Sequence, residues 1–180
     1  MPELPEQMAD LQSTAQGIRL LALDVDGVLT DGRIYYGNDG EELKSFSIKD
    51  GLGIKLLQRG GVEVVIITGR SSNIVARRAA ELGISEVVQG REDKLSALKE
   101  ICQAKSLMLE QCAYMGDDLP DLAAVRAVGI GMAPADAVTA LTEAADWVST
   151  HAGGAGAVRQ GCEQLLSWRG ALAAQLAEFD

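Results

Sequence analysis

LLALDVDGVLTDG, residues 20–32, is the stretch that indicates the fold of this chain: an apolar run that ends in two aspartates separated by one residue. A short, nearly continuous apolar run is typical of a strand buried on both faces, as in a parallel sheet. The two carboxylates at its end repel each other, and burial increases that cost. The pattern therefore indicates either a bound cation at the strand end or a chance arrangement of acids.

Strand-like and helix-like patterns alternate along the rest of the chain. This alternation implies right-handed crossovers and a parallel sheet covered by helices on both faces. The sequence thus predicts an α/β fold with a doubly wound, mainly parallel, Rossmann-like sheet. Strands are expected at 18–25, 62–68, 85–89, 112–116, 128–132 and 146–149, and helices at 50–60, 72–83, 94–104 and 120–129.

Three segments depart from the alternation. Residues 32–48 predict a β-hairpin insertion, because two short strand-like runs flank an Asn/Asp/Gly turn. Residues 1–16 predict a helical or frayed lead-in. The C-terminal part, 150–180, predicts a loop followed by one amphipathic helix over 157–179. With no internal repeat and no low-complexity linker, we expect a single domain over 1–180.

Composition limits the classes of partner. The net charge of −10 over 180 residues argues against nucleic acid, which is bound largely through Lys and Arg, and disfavours an anionic membrane surface. The N-terminus lacks the pattern of a signal peptide, and no run reaches the roughly 20 apolar residues of a membrane span. Three widely spaced cysteines indicate neither a disulfide framework nor a zinc cluster. We expect a cytoplasmic protein that acts on a small molecule.

Polar side chains follow the ends of several predicted strands, where functional residues of parallel α/β sheets lie. Asp24 and Asp26 follow the first strand, and Thr68 ends the second. Lys94 begins a helix shortly after the third, and three acids follow the fourth, namely Asp117, Asp118 and Asp121. The sequence therefore predicts that these groups meet at one edge of the sheet.

The predicted cluster has the groups that phosphoryl transfer requires. Carboxylates are oxygen ligands suited to Mg²⁺, and we expect Asp117 to complete the metal site. Asp24 is the candidate nucleophile, which would form an aspartyl phosphate, and Asp26 is the candidate acid and base. The Thr68 hydroxyl and the Lys94 charge would bind the oxygens of the transferred group.

Four further residues have two interpretations each. Asp118 and Asp121 are either metal-site residues or acids of a helix N-terminus. Lys49 and Arg70 are either surface cations or substrate contacts, and as substrate contacts they would bind a carboxylate.

The quoted motifs resemble a known family. DVDGVLTDG, IITGR, Lys94 and MGDDLPD, in this order, resemble the four motifs of the haloacid dehalogenase superfamily of phosphohydrolases, over residues 18–165. The resemblance implies that family's type of sheet, a Mg²⁺ cofactor and the catalytic roles given above. It also implies that the metal is held by Asp24, Asp117 and the backbone carbonyl of Asp26.

DGRIYYGNDGEELKSFSIKDGLGIKLL and AGGAGAVR resemble one branch of that superfamily, which lacks a large cap domain. Members of this branch are tetramers in which neighbouring subunits help to cover the active site. They hydrolyse an eight-carbon sugar-acid phosphate in lipopolysaccharide biosynthesis. Ala155 and Gln160 depart from the common residues of the branch, which leaves the role of the C-terminal segment open.

Three other functions remain compatible with the motifs. The first is a phosphatase of a related nine-carbon sugar-acid phosphate. The second is a signalling receiver domain that accepts phosphate on Asp without further hydrolysis, although its acidic pair would precede the acceptor in the chain. The third is an inactive scaffold, which the complete set of candidate catalytic residues disfavours.

Overall fold

A computed structural model describes residues 3–179 of the chain, and its centre is a parallel sheet of six strands. The strands are β1 (Leu20–Leu23), β4 (Glu63–Ile67), β5 (Val87–Val88), β6 (Cys112–Met115), β7 (Ile130–Ala133) and β8 (Trp147–Val148). Their order in the sheet is β5-β4-β1-β6-β7-β8, and every pair of neighbours is parallel. The order reverses on either side of β1, as in doubly wound sheets.

Eight α-helices accompany the sheet within the described part of the chain. Leu21 and Leu23 of β1 face one apolar core, and Leu20 and Ala22 face the other, because successive strand residues point to opposite faces. The first core lies against α1 (Glu3–Gly17), α2 (Ile48–Arg59), α3 (Asn73–Glu81) and α7 (Ala157–Trp168). The second lies against α4 (Lys94–Lys105), α5 (Leu122–Ala127) and α6 (Thr139–Ala144), and α8 (Leu172–Leu176) follows α7.

Between β1 and α2 the chain forms the predicted hairpin. Its strands, β2 (Tyr35–Tyr36) and β3 (Glu42–Leu43), pair antiparallel as a separate two-stranded sheet. The Gly37 amide donates to the Glu41 carbonyl at 2.8 Å and closes the turn. A two-stranded hairpin is too small to form a cap domain, so the edge of the main sheet beside it stays accessible.

The helical predictions need three corrections. The expected closing helix over 157–179 is two helices, α7 and α8, because the chain turns at Gly170, whose φ of 69° lies in the left-handed region. The helix expected at 120–129 begins only at Leu122, after a 3₁₀ turn over Leu119–Asp121. The short helix α6 was not predicted. The expected lead-in is helical from Glu3, and residues 1 and 2 lie outside the described range.

Within residues 3–179 no helix is both long enough and apolar enough to cross a lipid bilayer.

Candidate active site

The carboxyl ends of β1, β4 and β6 surround a cavity of about 250 Å³. Because these neighbouring strands are parallel, the residues that follow them meet at one edge of the sheet. The cavity is lined by all five residues with predicted catalytic or metal roles, namely Asp24, Asp26, Thr68, Lys94 and Asp117, and also by Arg70, Asp118 and Asp121.

Asp24 is the first residue after β1 and is buried. Its Oδ1 accepts a hydrogen bond from the Val25 amide at 2.7 Å, and its Oδ2 lies 2.8 Å from Lys94 Nζ. Burial and the nearby charge of Asp121 raise the pKa of Asp24 to about 6, against the opposite effect of Lys94. Asp24 is therefore mainly a carboxylate at neutral pH, but its burial and the charge of Asp121 destabilise this form.

Lys94 is the first residue of α4, yet its side chain is buried. Its Nζ lies between two carboxylates, 2.8 Å from Asp24 Oδ2 and 2.7 Å from Asp121 Oδ1. Burial alone would lower the pKa of Lys94, but the charges of Asp24 and Asp121 outweigh it and the pKa is raised. Lys94 therefore stays charged. Its two carboxylate partners offset the unfavourable position of a positive charge at a helix N-terminus, which explains why a lysine lies there.

Asp121 is fully buried, and both its oxygens have donors. Oδ1 accepts from Lys94 Nζ and from the Tyr114 hydroxyl, each at 2.7 Å. Oδ2 accepts from the amides of Asp117 at 3.1 Å and Asp118 at 3.3 Å. The Asp118 side chain accepts from the Leu119 amide at 2.7 Å and caps the 3₁₀ turn. Asp121 therefore fixes Lys94 and the loop after β6.

The acids at this edge fit a divalent cation. Carboxylate oxygens of Asp24, Asp117 and Asp121 lie within 4.8 Å of one another. Asp117 Oδ1 is buried without a hydrogen-bond partner, and burial together with the charges of Asp24 and Asp121 raises the pKa of Asp117 to about 8. One buried lysine cannot balance three carboxylates. A hard cation such as Mg²⁺ supplies the missing charge and takes oxygen ligands.

The loop after β1 is in close contact with Asp117. Gly27 has a φ of 93°, and a Cβ at this position would lie 1.9 Å from Asp117 Oδ2. Only glycine combines this backbone conformation with so close an approach. The DVDG part of the first motif therefore brings the main chain directly to Asp117, a candidate metal ligand.

Thr68 follows β4 and is buried. Its amide donates to the Val88 carbonyl at 2.9 Å, and its carbonyl accepts from the Arg91 amide at 3.1 Å. These bonds hold the backbone of Thr68 beside the cavity.

The two candidate substrate cations differ in position. Arg70 is at the rim of the cavity, where Nη2 lies 3.3 Å from Glu42 Oε2 of the hairpin. Lys49, in the first turn of α2, is exposed and is not among the residues that line the cavity of its own chain. The substrate contact expected for Lys49 therefore stays a prediction.

Two residues that contact the candidate site residues were not predicted from the sequence. Lys44 donates to Asp26 Oδ1 at 2.5 Å, and Tyr114 of β6 donates to Asp121. A signal existed for Tyr114, because a hydroxyl within the apolar run CAYM needs a buried acceptor. For Lys44 the only signal was that Glu42 and Lys44, two residues apart, would share one face of a strand.

Comparisons with known proteins agree with the geometry. A haloacid dehalogenase-like hydrolase profile matches residues 79–159. The chain is 48% identical, over 164 residues, to the 3-deoxy-D-manno-octulosonate 8-phosphate phosphatase KdsC of Escherichia coli strain B / BL21-DE3. That alignment covers 91% of this chain and 87% of the relative.

Solved structures give the same result. The 3-deoxy-D-manno-octulosonate 8-phosphate phosphatase of Moraxella catarrhalis, in complex with a magnesium ion, a phosphate ion and KDO, is 44% identical with a TM-score of 0.94. The match covers 96% of this chain and 99% of that one. The cobalt-bound Haemophilus influenzae enzyme is 38% identical with a TM-score of 0.86, and the match covers 91% and 99% of the two chains.

Proposed function

The chain belongs to the haloacid dehalogenase-like hydrolases, and we propose that it hydrolyses the phosphate monoester of 3-deoxy-D-manno-octulosonate 8-phosphate with Mg²⁺ as cofactor. The observation that carries this proposal is the arrangement of Asp24, Lys94 and Asp117 around one cavity. The substrate follows from the relatives, which share the sequence over most of their length. The reaction would belong to lipopolysaccharide biosynthesis.

In the first step, an oxygen of Asp24 attacks phosphorus, and the bond between phosphorus and the sugar oxygen breaks. Asp26, at the cavity wall, donates a proton to the departing sugar oxygen. The products of this step are the free sugar acid and an aspartyl phosphate on Asp24. Asp24, Asp117 and the Asp26 carbonyl would hold Mg²⁺, which would supply positive charge to the carboxylates and the phosphoryl oxygens.

In the second step, Asp26 takes a proton from water, whose oxygen attacks phosphorus and releases Asp24 and inorganic phosphate. Lys94, whose Nζ lies 2.8 Å from Asp24 Oδ2, would balance the negative charge on the phosphoryl oxygens and on the carboxylate. The Thr68 hydroxyl donates to a phosphoryl oxygen. Arg70, at the rim, is a candidate contact for the carboxylate of the sugar acid.

Covering of this cavity would require a second subunit, and the proposed assembly is a homotetramer. The hairpin beside the cavity is small and exposes apolar side chains, with Tyr36 70% and Leu43 58% exposed. Such side chains are typical of an interface between copies of a chain. Lys49 would reach substrate from a neighbouring subunit. The proposed compartment is the cytoplasm.

A phosphate-release assay with Mg²⁺ tests the function. The panel comprises 3-deoxy-D-manno-octulosonate 8-phosphate, a nonulosonate 9-phosphate, and hexose phosphates without a carboxylate at the anomeric carbon. We expect repeated turnover and the highest kcat/KM with the octulosonate phosphate. A higher kcat/KM with the nine-carbon substrate would move the assignment to that phosphatase. Equal hydrolysis of hexose phosphates would leave only the general phosphatase activity.

A further inference from the structure

Lys44 is a buried lysine that contacts Asp26, and it has no role in the reaction proposed above. It directly follows β3, and its side chain is only 1% exposed. Its Nζ lies 2.5 Å from Asp26 Oδ1 and 3.2 Å from Glu42 Oε1. Lys44 is not among the residues that line the cavity, so its effect on a substrate would pass through Asp26.

A lysine is rarely buried unless an acid balances its charge. Here the shorter of the two contacts goes to the candidate acid and base, while Glu42 gives the ammonium group a second carboxylate. Glu42 also contacts Arg70, so two ion pairs, Lys44–Asp26 and Glu42–Arg70, connect the hairpin to the cavity rim. The Asp26 side chain itself is 24% exposed and would otherwise be free to rotate.

We propose that Lys44 is a positioning residue that holds Asp26 by Oδ1, so that Oδ2 is the oxygen that exchanges the proton with substrate and water. This inference rests on the proposed function, because it assigns a partner to the proposed acid and base. In this role Lys44 acts through Asp26 and is not itself a proton donor to the substrate. A bond to one carboxylate oxygen fixes the plane of the group, which proton transfer over hydrogen-bond distance requires.

The choice of leaving group separates this role from a purely structural one. A sugar alkoxide leaves only with a proton, so its release depends on a correctly placed Asp26. The 4-nitrophenolate ion leaves without one. Loss of Lys44 should therefore lower kcat/KM, which reports the first step and not the later attack of water, much more for the sugar phosphate than for 4-nitrophenyl phosphate. Damage to the fold or to the metal site would slow both substrates alike.

The test compares Lys44→Met and Lys44→Arg with the wild-type enzyme at saturating Mg²⁺. For Lys44→Met we expect kcat/KM for the octulosonate phosphate to fall about 10–100-fold, as for partial loss of acid–base catalysis, and kcat/KM for 4-nitrophenyl phosphate to fall less than about threefold. Lys44→Arg keeps the charge and should recover most of the loss. Lys99→Met, an exposed lysine of α4, is the matched control and should change neither rate.

An equal fall in kcat/KM with both substrates, or no fall with either, would overturn the role of Lys44. If thermal unfolding shows that Lys44→Met does not fold, Lys44→Gln gives the same ratio with a polar neutral side chain. A wild-type enzyme that releases no phosphate from any substrate contradicts the proposed function itself. An active wild-type enzyme with an unchanged ratio in the variants contradicts only this inference.

Discussion

Three carboxylates and one ammonium group share the buried centre of the candidate site. Asp24, Asp117 and Asp121 repel each other, and burial adds to the cost of their charges. Lys94 compensates part of this through its contacts with Asp24 and Asp121. The remaining negative charge is the reason that these residues suit a divalent cation and a phosphate. Substitution of one carboxylate therefore affects catalysis and stability in opposite directions.

Asp24→Asn should abolish turnover without loss of the fold. The amide has nearly the same volume but is a poor nucleophile, so we expect kcat to fall by at least about a thousandfold. The melting temperature should stay the same or rise, because a buried charge is removed and Lys94 retains Asp121. Phosphate release and thermal unfolding measure the two effects. Asp10→Asn, on the exposed face of α1, is the control. Appreciable activity in Asp24→Asn would show that Asp24 is not the nucleophile.

Mg²⁺ should stabilise the protein, because it binds the folded arrangement of acids and not the unfolded chain. At a concentration 100-fold above its Kd the gain is about 2.7 kcal/mol, which for a chain of this size raises the melting temperature by about 5–10 °C. Asp117→Asn should lose most of this shift and most of the activity. Removal of metal with EDTA should abolish the wild-type activity, and Mg²⁺ should restore it.

An undiminished Mg²⁺ shift in Asp117→Asn would show that the ion binds elsewhere.

Among the elements, the loop before α7 supports the loop after β1. The Gly154 amide donates to the Val28 carbonyl at 2.9 Å, and the Gly153 amide donates to Asp136 Oδ1 at 2.9 Å. A Cβ on Gly153 would lie 1.9 Å from the Gly27 carbonyl oxygen. The GGAG segment thus packs directly on the loop after β1 of its own chain. This contact accounts for the glycines at positions 153 and 154.

Gly153→Ala should therefore displace the loop that carries Asp26 and Gly27. Because the nearest atoms are backbone, we expect a destabilisation of about 1–3 kcal/mol, as for overpacked sites, and a lower kcat. Urea unfolding and phosphate release measure both. Gly17→Ala is the matched control: a Cβ there meets no atom within 4 Å, so activity should be unchanged and stability unchanged or slightly higher. Normal stability and activity in Gly153→Ala would contradict the close packing.

At the scale of the whole molecule, the exposed hairpin is the region where copies of the chain are proposed to meet. Tyr36 and Leu43 are apolar and exposed, and the same hairpin holds Lys44 against Asp26. Covering of the hairpin would therefore also stabilise the position of the acid and base. Both the tetramer and the single-domain organisation stay predictions.

A double variant, Tyr36→Glu with Leu43→Glu, should prevent assembly, because it adds charge to an acidic chain at the proposed interface. Light scattering should show four chains of 19.0 kDa for the wild type and a smaller species for the variant, with reduced kcat. Met108→Glu, an equally exposed apolar position at the opposite edge of the sheet, should remain tetrameric. A monomeric wild type at micromolar concentration would refute the proposed assembly.

The sequence by itself determined the sheet, the hairpin and the edge at which Asp24, Thr68, Lys94 and Asp117 meet. It could do so because burial on both faces leaves a continuous apolar run, and because parallel strands end at the same edge. The amphipathic pattern of the C-terminal segment predicted one helix, and this was wrong. A turn at Gly170 divides that segment into two helices.

Only the tertiary structure decided which partner each charged group has. Lys44 reaches Asp26 across 18 residues, and Lys94 reaches Asp121 across 27. Such pairs have no periodicity in the chain, since they depend on where the hairpin and α4 pack against the sheet. A buried polar group must find a partner within hydrogen-bond distance, but the sequence does not specify which one.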